Sequence, residues 1–456
     1  MRLGPFHPTQ PMHTLAQLRA GELAGATRLD LAEGLTEFPP EIFTLADTLE
    51  VLNLSGNALR ELPAELPRLH RLRVLFASDN QFERVPEVLG QCPNLEMVGF
   101  KANRIQELPG AALPPRLRWL ILTDNALEAL PAEIGNCPRL QKLMLAGNRL
   151  RTLPPELARC LNLELLRLAA NALTELPTWL LNMPRLSWLA FAGNPLTAEA
   201  EAAAEAHPAR PAIAWDELQP GAMLGEGASG LIYRAHWQPA SAASQQVALK
   251  LFKGAVTSDG LPHCEMLACL RAGLHPNLIA VEGRLTGHPA GTEGLVLELI
   301  GPEFTNLAGP PTLASCTRDE YAPATRFELP ALLQLAGGIA AAAAQLHGRG
   351  IVHGDLYAHN ILATNTGAAL LGDFGAAGFI PPTSPEATEL LPLLESRAFG
   401  NLLEELLDRC PVRPETAATL AELRDWQARC QQPQVAARPR LAEVSQRLRE
   451  LQQLAG

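Results

Sequence analysis

Asp355 and Asn360 stand five residues apart in "IVHGDLYAHNIL", residues 351–362, between two apolar runs. A carboxylate can take or orient a hydroxyl proton, and a carboxamide oxygen can accept a bond or ligate a cation. Asp373, in "LLGDFGAA", adds a second carboxylate a short way downstream. Upstream, Lys250 sits in the apolar strand-like run "VALKLF", where an ammonium is costly unless it meets an anion. Glu265, in the helical stretch "HCEMLACLRAG", supplies a carboxylate that can pair with Lys250 and aim it at phosphate oxygens. Ahead of both, "MLGEGASGLIYRA" places glycines at Gly225, Gly227 and Gly230, where backbone amides can approach a phosphate closely. A lone G-x-G-x-x-G is a weak signal, because a dinucleotide site uses the same letters before a helix. Here Leu231, Ile232 and Tyr233 lead into a second strand instead. "GLVLELI" is an apolar strand running to Glu298 and Ile300, suited to hold an adenine through backbone bonds. The chemistry these groups could share is the handling of nucleotide phosphates.

These groups come from separate stretches, so a folded scaffold must bring them together. From Asp216 onward strand-like and helical segments alternate without a fixed period. With the Gly-rich loop, V-A-L-K, H-G-D-x-x-x-x-N and D-F-G in this order, residues 220–453 resemble a eukaryotic-type protein kinase domain. The resemblance implies an α+β bilobal fold with ATP and Mg2+ as cofactors. It implies that Lys250 meets the α/β-phosphates and pairs with Glu265, that Asp355 is the catalytic carboxylate, and that Asn360 and Asp373 hold metal. It further implies a nucleotide site formed by Leu224, Gly225, Gly227, Ser229, Gly230, Ile232, Ala248, Lys250, Glu298 and Ile300. His353 is expected to pack and hydrogen-bond structurally.

Three departures from that pattern matter. Gly354 stands where most such kinases have an arginine that grips a phosphate on the activation loop. The segment after Asp373 is short and lacks A-P-E, with "SPEA" at best a remnant. Tyr357 replaces the lysine common in serine/threonine enzymes. Activity without activation-loop phosphorylation is therefore expected, with Thr383, Ser384 and Thr388 dispensable for turnover. Glu395, in "ESRAFGNLLEELL", stands where the family has an Asp that braces the catalytic loop, and Arg438 matches a family arginine. The leading reading is a serine/threonine protein kinase. A pseudokinase scaffold acting by protein binding is one alternative. A small-molecule phosphotransferase, its pocket closed by the insert "PEFTNLAGPPTLASCTRDEYAPATRFELP", is another.

The first half is periodic. "LEVLNLSGNAL", "LRWLILTDNAL", "LQKLMLAGNRL" and "LELLRLAANAL" share L-x-x-L-x-L-x-x-N-x-L, and the asparagines recur at Asn57, Asn80, Asn103, Asn125, Asn148, Asn171 and Asn194. Inward leucines of stacked copies bury a core that no copy could bury alone, and the asparagine amide caps the turn leaving each strand. This resembles a leucine-rich repeat domain. The expected fold class is an α/β leucine-rich-repeat solenoid followed by the bilobal kinase-like domain. Its expected divisions are a cap segment over residues 1–25, repeats over 26–198, a linker over 199–217 and the kinase domain over 218–454. Alternation puts Phe76, Met97, Trp119, Ile121, Met144 and Trp188 on the concave face, where an exposed apolar patch would bind a protein partner or substrate. Coverage by the other half of the chain is the alternative.

Composition bounds the rest. With 47% hydrophobic and 19% charged residues, the chain is globular rather than disordered. A net charge of -11 argues against nucleic acid as a main partner. No apolar run is long enough for a membrane span, "AGGIAAAAAQLHGRG" being too short, and the first residues show no secretory h-region. Eight cysteines without metal-ligand spacing fit a reducing, cytoplasmic protein, with Cys92, Cys137 and Cys160 as small buried residues of the repeat.

Overall fold

The computed structural model describes residues 13–206, 210–227, 229–239, 243–254 and 256–455. The first twelve residues of the expected cap and residues 207–209 of the expected linker lie outside them. The chain divides into two compact units, with the border between Leu180 and Leu181.

The first unit opens on α1 (Leu15–Arg19), whose N-terminus is closed by a reciprocal pair of bonds between Thr14 and Gln17. Its strands are β1 (Arg28–Asp30), β2 (Val51–Asn53), β3 (Val74–Phe76), β4 (Met97–Gly99), β5 (Trp119–Ile121), β6 (Lys142–Met144) and β7 (Leu165–Arg167). Each pairs in parallel with the next, and Val51, Val74, Met97, Trp119, Lys142 and Leu165 stand in one register column. The middle residue of each strand, from Leu29 to Leu166, is buried. The repeat period leaves few residues for the return, so it is made by short 3₁₀ turns such as Glu87–Gln91 and Pro155–Arg159. These follow the Leu-Pro or Val-Pro steps, where proline's missing N–H does no harm.

The asparagine ladder behaves as the spacing requires. The Asn148 carbonyl accepts from the Leu127 amide at 3.0 Å while its NH₂ donates to the carbonyls of Leu122 and Leu145. Asn80 and Asn171 repeat the pattern. Cys92, Cys137 and Cys160 are free and buried, and burial pushes their thiols up to about 11, 11 and 12.

The concave face requires a correction. Phe76, Met97, Trp119 and Ile121 do lie in the outward columns, but they are 3%, 2%, 5% and 8% exposed, not an open patch. Part of the cover comes from neighbouring repeats. The Trp119 indole N–H points at the Met144 sulfur, and the Lys142 ammonium lies over the Trp119 ring.

The second unit begins at Leu181, the last residue of α2 (Thr178–Leu181), and contains the last repeat with its strand β8 (Trp188–Ala190). The Ala/Glu segment forms α3 (Ala198–Ala206) as expected. The connector after it is not a free linker, because β9 (Ala212–Ala214) joins a sheet. That sheet runs β10-β11-β12-β14-β13-β9, with β10 (Leu218–Glu226), β11 (Gly230–Trp237), β12 (Gln245–Phe252), β13 (Val281–Thr286) and β14 (Gly294–Glu298). Parallel pairing of β9 with β13 satisfies backbone groups that the sequence left unassigned. One face packs Ile213, Leu218, Val247, Leu249 and Val296, and α4 (Pro262–Ala272) lies among the sheet's other contacts.

The remainder is largely helical, with α5 (Leu329–Gly348), α6 (Pro385–Leu407), α7 (Ala417–Cys430) and α8 (Leu441–Ala455). Among them run the short strands β15 (Thr305–Asn306), β16 (Ile351–Val352), β17 (Ile361–Ala363), β18 (Ala369–Leu371) and β19 (Gly378–Phe379). The apolar Ala-rich stretch is longer than its core letters suggested. As α5 it has 20 residues and a mean hydropathy of 1.5, long and apolar enough on those counts to cross a membrane, yet its apolar face is buried in the fold.

Candidate active site

Each chemical group predicted from the sequence has its own supporting element. Lys250 lies on β12, opposite Ile232 of β11 and Leu295 of β14. Val247 and Leu249 alternate with it into the core, which turns Lys250 to the cleft. Glu265, one helical turn into α4, is 2% exposed and bonds the Lys250 ammonium directly. Burial would lower the Lys250 pKa, but the carboxylates of Glu265 and Asp373 more than offset it and hold the ammonium above its ordinary value.

β10 and β11 form the glycine hairpin, closed by a Gly227 N–H to Gly230 carbonyl bond of 2.9 Å. Gly227, Ser229, Gly230 and Ile232 line a cleft together with Lys250, Glu265, Asn360 and Asp373. Leu224, Gly225, Ala248, Glu298 and Ile300, predicted for the same nucleotide site, are not among its lining residues. Leu224 and Glu298 are exposed at strand ends, whereas Ala248 shares the Lys250 face of β12 but is itself covered. In their place the walls include Cys269, Ile279, Leu297, Leu362 and Phe374. Leu362 was within reach of sequence reasoning, since it alternates with the buried Ile361 just after Asn360. Burial pushes the Cys269 thiol up, which makes it an inert wall.

The loop between β16 and β17 carries Asp355 and Asn360. The Asn360 NH₂ donates to the Asp355 main-chain carbonyl at 2.9 Å and to its carboxylate at 2.8 Å. Asn360 is 2% exposed, and its side-chain oxygen is a buried acceptor without a hydrogen-bond donor among the described residues. An acceptor left over in a polar cleft beside Asp373 fits a cation. Asp373 itself adopts a left-handed backbone, φ 52°, and accepts from the Gly375 N–H at 3.2 Å.

Three polar residues hold this loop. Glu395, 3% exposed on α6, accepts from the Gly354 N–H at 2.8 Å and from His347 at 2.6 Å, so the bracing expected of it is present. Burial opposes its charge, but the His347 contact and the Gly354 bond keep its pKa below the usual carboxylate value. His353 bonds the Gly372 carbonyl at 2.9 Å and leans on Phe374, a structural role as expected. The third was missed. Asp319, from the insert between β14 and α5, takes both the His359 N–H and its ring nitrogen, at 2.9 and 2.7 Å. Burial would lower the His359 pKa, but Asp319 raises it above 6.5. Nothing periodic in the insert announced this.

Arg438 is buried and donates to the carbonyls of Gln432, Leu393 and Pro184 rather than to a carboxylate. Burial, then Arg397, depresses it to about 9. Ser384 caps α6 by accepting from the Ala387 N–H, and Thr388 donates back to the Ser384 carbonyl.

The family model for protein tyrosine and serine/threonine kinase matches residues 218–389, and two leucine rich repeat models match residues 138–196 and 48–69. Cyclin-dependent kinase C-2 C of Arabidopsis thaliana is 31% identical over 119 residues, 25% of this chain and 16% of that protein. The PH domain leucine-rich repeat-containing protein phosphatase 1 of Homo sapiens is 34% identical over 88 residues, 19% of this chain and 5% of that one. The chain thus spans a small part of the curated relatives it matches. A solved leucine-rich-repeat protein of Leptospira interrogans is 30% identical with a TM-score of 0.34, covering 37% of this chain and 49% of its own.

Proposed function

The chain joins leucine-rich repeats to a protein kinase domain, and on that premise we propose that it is an ATP-dependent protein kinase acting on serine or threonine hydroxyls. The observation that carries this reading is the Lys250–Glu265 ion pair, formed over a cleft that Asn360 and Asp373 also line. A buried ion pair is costly to desolvate, and this one fixes an ammonium at the cleft wall, where phosphate oxygens can reach it.

In this reading Lys250, oriented by Glu265, meets phosphate oxygens, and the glycine hairpin of β10 and β11 lies over them. Asp355 accepts the acceptor's hydroxyl proton as its oxygen bonds the γ-phosphorus and the bond to the β–γ bridging oxygen breaks, leaving ADP. Asn360 and Asp373 would hold a divalent cation, whose chemistry is to neutralise charge on the phosphates. Glu395 and Asp319 keep the loop in place through Gly354 and His359. Residues 13–180 would recruit a protein partner, and eight free cysteines suit a reducing, cytoplasmic setting.

The test is transfer of radiolabel from γ-labelled ATP to the chain itself and to a mixed panel of protein acceptors. Wild type should label serine or threonine, and Asp355→Ala should fall by about three orders of magnitude. Equal, background-level labelling by both proteins would leave a binding scaffold. Label found on an aminoglycoside-like small molecule instead of protein would redirect the substrate class.

A further inference from the structure

The last repeat lies in the same compact unit as the kinase domain and touches the catalytic loop directly. The Trp188 indole stacks on the Tyr357 ring, centroids 4.0 Å apart and planes within 8°. Its N–H donates to the Leu356 carbonyl, the residue after Asp355, at 3.0 Å. Trp188 is 1% exposed. Beside it the backbone of β8 closes on the loop. Gly354 has φ 72°, and a Cβ there would stand 2.8 Å from the Leu189 carbonyl oxygen and closer still to that of Ala376. Any side chain at 354 would therefore collide with two main-chain carbonyls and force the last repeat away. The next aromatic of the repeat, Phe191, lies against Gly378 of β19, just past Asp373.

We propose that Trp188 is a positioning residue for phosphoryl transfer, holding the segment that carries Asp355 through the Leu356 carbonyl and the Tyr357 ring. The proposal rests on the kinase reading above. Trp188 touches the loop through its main chain and Tyr357, and none of the described residues that line the nucleotide cleft comes from the last repeat. The contact thus steadies the loop and leaves the cleft clear. A flat stack with an indole bond to main chain fixes orientation at little entropic cost, because both rings have few rotatable bonds. Five amides of this loop, those of Gly354, Asp355, Tyr357, His359 and Asn360, are hydrogen-bonded within the structure, which gives the brace a direct readout.

The experiment compares the full chain as wild type, Trp188→Ala and Trp188→Phe. Hydrogen exchange at residues 354–360 should quicken by about tenfold or more in Trp188→Ala, and kcat should fall by about tenfold with ATP affinity within about twofold. Trp188→Phe, which keeps the stack and loses the bond to Leu356, should recover most of both. If Trp188→Ala does not fold, Trp188→Phe decides alone through intermediate exchange at the same amides. Unchanged exchange at the loop overturns the proposal, as does a kcat that rises when the indole is removed, since that would make Trp188 a plug. Should wild type transfer no phosphate at all, the kinase reading fails, while the exchange arm still tests the brace.

Discussion

The two compact units use buried asparagine in opposite ways. In the first, the Asn148 oxygen accepts from the Leu127 amide and its NH₂ donates to the carbonyls of Leu122 and Leu145, so the whole side chain serves the backbone of its own and the preceding repeat. In the second, Asn360 holds Asp355 with its NH₂ and keeps its oxygen in reserve. A saturated amide is architecture, and an amide with spare capacity in a cleft is chemistry. The same contrast separates the cysteines: those of the repeats fill core positions, whereas Cys269 faces the nucleotide cleft and is kept quiet by burial.

Substitution can break the comparison. The largest effect belongs to Asn360→Ala, which should reduce turnover by about a thousandfold while the melting curve of the second unit changes little; a loss of folding with no specific loss of turnover would make this asparagine architectural as well. Asn148→Ala should do the reverse. It strands the Leu127 amide and two carbonyls, destabilising the first unit by about 2–3 kcal/mol in denaturant titration, with kcat preserved.

pH sharpens the contrast inside the second unit. Glu405 accepts from the Tyr321 hydroxyl at 3.1 Å, and burial, with Asp319 nearby, raises its pKa to about 8 against Arg318 and Arg409. A group raised on folding lends stability that is full below its unfolded value, 4.5, and is lost as pH climbs toward about 8. His359, raised above 6.5, acts in the same direction at higher pH. The melting temperature of the second unit should therefore fall across that range, and Glu405→Gln should flatten the lower part of the fall. A melting temperature that rises over the same interval contradicts the sign. The smallest effect is expected at the start of α6. Ser384→Ala removes an N-cap worth about 1 kcal/mol, and Thr383, Ser384 and Thr388 changed together should leave turnover at the wild-type rate in a labelling assay.

How much of this was legible depends on whether a position repeats or carries a motif. Strand register, the asparagine ladder and the buried cysteines followed from the period alone, because one local solution is used many times. Motif order brought Lys250, Glu265, Asn360 and Asp373 to one cleft, with Asp355 held beside Asn360, because an ordered set of motifs constrains residue type at each position. Alternation gave the direction of Trp119 and Trp188 correctly but could not say what comes to lie on them. Long-range pairings such as Asp319 with His359, or β9 with β13, have no local signature. The cleft walls were legible only in part, since apolar positions such as Ile279 and Leu297 look like any core residue. Gly354 was seen to be unusual, yet its causes are a left-handed φ and two close carbonyls, that of Ala376 and that of Leu189, far away in the chain.

The border at Leu180–Leu181 falls inside the repeat series rather than after it. Upstream of that line, copies can be duplicated or deleted over evolutionary time with only their neighbours to accommodate the change. The final copy has no such liberty, because its tryptophan is already committed to the loop beside Asp355. Lineages carrying this arrangement should vary in how many repeats they have while inheriting the last one and the kinase domain as a single heritable piece.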